Sequence, residues 1–256
     1  MDPAGKEGLA QFTMSLLQEG AGDLDTVAFS NRADEISARF GFGAGRDSSS
    51  ISARFLVETL DESVDLMALA MKRPRFDPEP IELTRRQILS GIAQSATDPS
   101  SIARKAWAAQ AYPDHPYGRP SSGTRESIAS ITLEDVQAMH EVLFARGGVH
   151  ISIVGAIDAV RAGEVVDRLL SDLPDTAPPD VPRVETAPPP GLTVIEQDVP
   201  QSVALLGHGG LRRSDPDYIA AYVMNYILGG GGLTSRLTEE VREKRGLAYS
   251  VTSSLI

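Results

Sequence analysis

Apolar side chains recur at helical spacing in Leu9, Ala10, Phe12, Leu16 and Leu17, and Gly20-Ala21-Gly22 ends the run. Asp25 to Phe40 predicts a second helix with a weaker pattern. From Phe40 to Gly45 apolar residues alternate with glycine, and Ser48 to Leu56 follows, which predicts two antiparallel strands turning near Arg46-Asp47. Leu60 to Met71 has a strong amphipathic face, and Pro74 closes it. Pro78 and Pro80 open a helix that runs from about Ile81 to Thr97. Ser101 to Ala111 is a further helix, whereas Tyr112 to Thr124 has the Pro, Gly and Ser content of a loop. Thr132 with Asp135 makes a capping box for the next helix, although Glu or Gln is the usual third residue. His150 to Gly155 predicts a short strand, and Asp158 leads a helix to about Leu173.

The stretch from Pro174 to Pro190 is crowded with proline and lacks apolar periodicity, as expected of an extended, semi-rigid linker. Beyond it, Leu192 to Gln197 and Ser202 to Gly207 predict strands. Tyr218 to Leu228 and Ser235 to Arg245 predict helices around the run Gly229 to Gly232, and Leu247 to Ile256 predicts a final strand. The pattern implies an α+β fold of two domains, each a layered antiparallel sheet with packed helices, the second incomplete. The expected boundaries are 1–175 for the first domain, 176–191 for the linker and 192–256 for the second domain.

Composition narrows the chemistry. The 256 residues include no cysteine, which removes thiol catalysis and thiolate metal sites. A net charge of −11 argues against a general nucleic-acid surface. No apolar run is long enough to span a bilayer, and no basic region followed by an apolar core opens the chain.

None of His115, His140, His150 and His208 has a second imidazole at the spacing a helical zinc site needs. His115, in Tyr112-Pro113-Asp114-His115-Pro116-Tyr117-Gly118, is expected to fix its loop by a hydrogen bond. Neither a Gly-x-Ser-x-Gly elbow nor a phosphate loop is present. The glycines from Gly229 suit either an anion cradle of backbone amides or a tight turn between helices, and the turn is the simpler account. Arg242, near a helix C-terminus, and Tyr249, after Gly246, are two donors suited to a carbonyl oxygen or a peptide backbone.

Several blocks together resemble the insulinase/pitrilysin family of zinc peptidases, in its bacterial two-domain, processing-peptidase-like branch. They are Asp2 to Ala10, His115 to Pro120 with Gly123 to Glu126, Ile131 to Val136, Asn225 to Gly231, Ser235 to Leu237, and Arg242 to Val251. Active members of that family carry His-x-x-Glu-His directly after the Gly-Leu-Ala segment. Here the window is Gln11-Phe12-Thr13-Met14-Ser15, so Gln11 and Ser15 stand where two imidazoles would be and Met14 where the general base would be. The family's third ligand, a later glutamate, falls by spacing on Gly91, and Glu82 is too far along the helix to replace it.

The resemblance implies a non-catalytic subunit of a heterodimeric zinc peptidase. Arg242 and Tyr249, flanked by Gly229, Gly230 and Gly231, would hold extended peptides for a homologous partner that keeps the zinc motif. No cofactor is expected in this chain, and zinc is expected in the partner. It also implies strands before Asp2 and further elements after Ile256, so the chain is expected to be truncated at both ends, and it implies a periplasmic or cell-envelope location. The alternatives are a processing-peptidase-like scaffold subunit, an active peptidase that recruits His115 or His140 to an unusual ligand set, and a peptide-binding interaction domain without a catalytic partner.

Zinc needs lone-pair donors set around it and a base to use its water, and the aligned side chains offer neither. The purified chain is expected to hold no stoichiometric zinc and to cleave no peptide alone. Metal analysis finding one tightly held zinc per chain overturns that expectation.

Overall fold

The computed structural model describes residues 2–176, 181, 184–187 and 191–255. The chain forms two compact units, Met1–Val184 with Pro190–Leu205, and Glu185–Pro189 with Leu206–Ile256. Most of the predicted linker lies outside the described residues.

The first unit is built on helix α1 (Leu9–Ser15), which continues as a 3-10 turn over Leu16–Gln18. Leu9, Phe12, Met14, Leu16 and Leu17 are all nearly or fully buried, each stabilising the fold by about 1.5–3 kcal/mol relative to exposure. Gly8 precedes α1 in a left-handed conformation and makes no side-chain cap. Asp2 supplies the cap instead: its carboxylate accepts from Gly8 N and Ala10 N, each at 2.8 Å.

Two short antiparallel ladders follow. β1 (Gly20–Ala21) pairs with β2 (Leu24–Asp25), where only a helix stop was expected. Gly22 permits this turn, because its φ is +58° and an added Cβ would meet the Leu69 side chain at 2.9 Å. Helix α2 (Thr26–Glu35) is capped by the Asp25 carboxylate, which accepts from Ala28 N at 2.9 Å. It ends earlier than its apolar pattern suggests. Ser37 takes φ +53°, and Ala38 N donates to Ala33 O at 2.8 Å, a Schellman-type closure. β3 (Arg39–Ala44) then pairs with β4 (Ser49–Arg54) in the predicted hairpin, with Phe42 opposite Ile51.

Helix α3 (Leu60–Lys72) buries Val64, Leu66, Met67, Ala70 and Met71. It is followed by α4 (Pro78–Ser95), α5 (Pro99–Ala111) and the short α6 (Arg125–Ser130), which has its own capping box between Thr124 and Ser127. The alternation did not single out α6. Its six residues are too few to show a period, and the cap rests on a serine. Helix α7 (Leu133–Leu143) carries the predicted box: Asp135 N donates to Thr132 Oγ1 at 3.3 Å, and Thr132 N donates to Asp135 Oδ2 at 2.8 Å. Helix α8 (Ala159–Leu170) packs on α3 through Asp61, which receives Arg161 at 2.5 Å and Arg168 at 2.9 Å.

Arg85 of α4 ties three of these helices together. Its guanidinium donates to Ile128 O at 2.5 Å and Ile131 O at 3.0 Å, two carbonyls at the end of α6 that the helix itself leaves unpaired. It also lies 5.3 Å from the centre of the Phe12 ring on α1.

The second unit contains helix α9 (Tyr218–Asn225), which widens into a π-helical turn over Tyr226–Gly230. A 3-10 turn at Gly232–Thr234 and a second π-helical segment at Thr238–Glu243 follow.

The fold is thus mixed α/β, with packed helices and small antiparallel sheets. The predicted strands over 150–155, 192–197, 202–207 and 247–255 are not formed among the described residues. An apolar run becomes a strand only when another strand satisfies its backbone. These segments lack that partner and expose Val154, Leu192, Leu206 and Leu247.

Two measurements test this packing. His140 sits on α7, stacked on Phe144 at 4.6 Å, with Nε2 2.8 Å from Met71 O. Burial holds its pKa below 6.5, outweighing the Met71 carbonyl and Glu141, so the unfolded chain takes up the proton first. Stability is therefore complete above pH 6.5 and declines as pH falls below it. In thermal melts between pH 7.5 and 5.5, His140→Phe should flatten that decline; parallel curves would refute the assignment.

Met14 lies wholly inside the core. A carboxyl placed there has its pKa raised, so Met14→Glu should destabilise the chain by several kcal/mol at pH 7 and by less at pH 4. Equal Tm losses at the two pH values would show that water reaches this position.

Candidate functional site

Gln11 and Ser15 lie one turn apart on the same face of α1, and their polar groups are engaged with each other. Ser15 Oγ donates to Gln11 O at 2.9 Å, and Gln11 Nε2 lies 3.4 Å from Ser15 Oγ. Gln11 Oε1 accepts from Ala44 N at 3.2 Å, which ties α1 to the end of β3. Met14 points the other way, into the core. Gly91 lies on α4, exposed, with nothing within 4 Å of where its Cβ would be. A zinc ion does not fit these residues: the two helical polar groups bond to each other and to backbone, the base position is a thioether inside the core, and the fourth position has no side chain. Among the described residues no group of three or more His, Cys, Asp or Glu is placed to hold a metal.

The histidines stay apart. His115 fixes its loop as expected, with Nδ1 accepting from Tyr117 N at 3.2 Å. The Tyr117 hydroxyl donates to Asp47 Oδ2 at 2.7 Å, and that carboxylate, helped by burial, pushes the phenol up to about 12. The loop is thereby pinned to the β3–β4 turn. His150 and His208 are exposed.

The first unit also holds a groove of about 940 Å³. It is lined by Ser50 and Arg54 of β4, Met67 of α3, Met139 of α7, Leu169 of α8 and Ile151. Among the described residues β4 pairs with β3 only.

In the second unit Arg242 and Tyr249 meet. The guanidinium carbon lies 5.2 Å from the centre of the Tyr249 ring, and the ring is 88% exposed. Gly246 makes the encounter possible. Its φ is +60°, Gly246 N donates to Arg242 O at 2.9 Å and Leu247 N donates to Val241 O at 3.0 Å. This is a helix-ending reversal widened by one residue, as the π-helical turn requires, and it sends the chain back past Arg242.

The neighbouring cations are otherwise occupied. Glu240 receives Lys244 at 2.7 Å and Arg245 at 2.7 Å, and those two partners hold its carboxyl down at about 2. Among the described residues the ion-pair partner of Arg242 is the adjacent Glu243, 3.4 Å from its Nε. Gly229 is buried, Gly230 is exposed and Gly231 is half-buried. The sequence singled out the pair, the glycines and, as the first residue of a matching block, Asn225, but gave no sign that Asn225 bonds to Ser253, because such a bond shows no periodicity.

Residues 1–125 match the model of Insulinase (Peptidase family M16), and residues 130–256 match that of the Peptidase M16 inactive domain. A protein of Mycobacterium leprae named an uncharacterized zinc protease is 30% identical over 253 residues, covering 97% of this chain and 56% of its own length. A Helicobacter pylori protein named non-peptidase homolog YmxG is 26% identical, covering 95% of this chain and 56% of its own. The crystal structure of a peptidase M16 inactive domain from Pseudomonas fluorescens superposes with a TM-score of 0.82 at 30% identity, over 98% of this chain and 61% of that one. The chain therefore spans less than two thirds of the length of these relatives. Both halves match models of one peptidase family, and the chain belongs to it, the M16 family of insulinase and pitrilysin, with no metal-binding cluster among the described residues.

Proposed function

We propose that this chain is the non-catalytic half of a two-chain zinc peptidase. It holds extended peptides through Arg242 and Tyr249 while a homologous partner with an intact His-x-x-Glu-His supplies the zinc and cuts. The observation that carries this reading is the pair itself. Arg242 faces an exposed phenol ring while the cations beside it are bound to their own helix. A guanidinium and a phenol can donate to peptide carbonyls without regard to sequence. Gly230, exposed at the end of the wide turn that follows α9, presents backbone without a Cβ.

The residues at the zinc positions support the division of labour, because nothing there can activate water. Relatives named as zinc proteases and one named a non-peptidase homolog are both found in this family, which supports a pairing of cutting and non-cutting members. We propose a periplasmic or cell-envelope location for the complex. Among the described residues no helix is long and apolar enough to cross a membrane.

The test mixes the chain with a homologous partner that carries the intact motif, using an unstructured basic peptide as substrate. Cleavage should require both chains. Arg242→Ala should lower kcat/KM at least tenfold, about 1.4 kcal/mol of transition-state stabilisation. Assembly without any cleavage, or cleavage indifferent to Arg242, would favour a scaffold subunit instead.

A further inference from the structure

Tyr249 has almost no burial to hold it in place, since its ring is 88% exposed. Its position must come from the backbone on either side. On the amino side the reversal at Gly246 fixes Leu247 to Val241. On the carboxyl side two contacts hold Ser253 against the end of α9. Asn225 Nδ2 donates to Ser253 O at 3.3 Å, and Ser253 Oγ donates to Asn225 O at 3.4 Å. Gly229 lets the segment come that close. A Cβ there would stand 2.6 Å from Ser253 N and 2.5 Å from Ser253 Oγ, with the Leu237 side chain at 2.9 Å behind it. A clash with backbone cannot be relieved by turning a rotamer.

We infer that Asn225 and Gly229 are positioning residues: they clamp the backbone at Ser253, and the clamp sets Tyr249 over Arg242. This deepens the peptide-holding reading of the pair and rests on it. Gly229 then serves the site from beneath, as a point of close packing, and not as part of the peptide-facing surface. The π-helical turn over Tyr226–Gly230 has a reason in the same contact. It brings Gly229, one residue of the wide turn, to face Ser253, while Gly231 N donates to Tyr226 O at 2.8 Å.

The experiment separates the clamp from the peptide. In NMR spectra of the full chain, the Tyr249 ring should shift the Arg242 side-chain protons upfield, with Tyr249→Leu as the unshifted reference. Asn225→Ala and Gly229→Ala should each lose that shift while far-UV circular dichroism stays unchanged. Ser253→Ala keeps the Asn225 amide bond to the Ser253 carbonyl and should retain the shift. Binding of a short fluorescein-labelled basic peptide should weaken about tenfold in Asn225→Ala, as it does in Tyr249→Leu. An Arg242 shift that survives both Asn225→Ala and Gly229→Ala overturns the inference. If Gly229→Ala does not fold, Asn225→Ala alone decides. If the shift is lost as expected but the unaltered chain binds no peptide, the clamp stands and the peptide-holding reading falls.

Discussion

Burial of α1 is the constraint around which the first unit is organised. Five of its apolar side chains, Leu9 to Leu17, are sealed from water in consecutive turns, and the neighbours are arranged to keep them so. Asp2 closes the amino end of the helix. Arg85 reaches across from α4, covers Phe12 and satisfies the carbonyls of α6. Lys6 bonds to Ser130 O at 2.5 Å and to Asp135 at 2.6 Å, and so joins the approach to α1 to the capping box of α7. Without α1, Arg85 would hold a half-buried cation against an empty wall, and α6 would have carbonyls satisfied from a helix with no reason to stay near.

That organisation gives physical content to blocks of sequence that first stood out as a resemblance. Asp2 to Ala10 and Ile131 to Val136 are distant in the chain but meet through Lys6 and Asp135, and Lys6 is the first cause of the lowered Asp135 pKa, ahead of the Thr132 amide. His115 to Pro120 is a loop whose histidine caps its own turn and whose tyrosine is tied to Asp47. In each block the residues that carry the likeness make specific bonds.

The helices were legible because each long one combines a strong period with a punctuating residue: Pro74 after α3, Asp98-Pro99 before α5, Thr132 before α7. The hairpin of β3 and β4 was legible because both of its strands are local, and the turn between them is four residues long. Segments such as 150–155 were misread for a reason of the same kind. Their composition suits a strand, but a strand is a property of two segments, and composition reports on one. At the candidate site the four degenerate positions and the Arg–Tyr pair were visible as residue types. Asn225 and Gly246 stood only as members of matching blocks, and the roles of Asn225, Ser253 and the left-handed Gly246 were not legible, because their contribution is a backbone contact at long range or a single dihedral angle.

The two ends of the chain show opposite relations between stability and chemistry. On α1, positions that would need polar, ionisable side chains to serve a metal hold Met14 in the core and a self-bonded Gln11 and Ser15. Each change removes a burial or pairing cost, so the helix is free to pack. At Arg242 and Tyr249 the relation is reversed. A half-buried cation beside an exposed ring contributes about 0.5–1 kcal/mol, while ordering the guanidinium stem costs rotamer entropy of at least similar size. The fold gains little from this pair, yet it spends a left-handed glycine and a close backbone contact at Gly229 to define where the pair lies. Structural cost without structural return is the mark of a surface shaped for something outside the chain. The first unit packs apolar and self-bonded side chains where a metal site would need ionisable ones, and the second defines the place of an Arg–Tyr pair at a cost to packing.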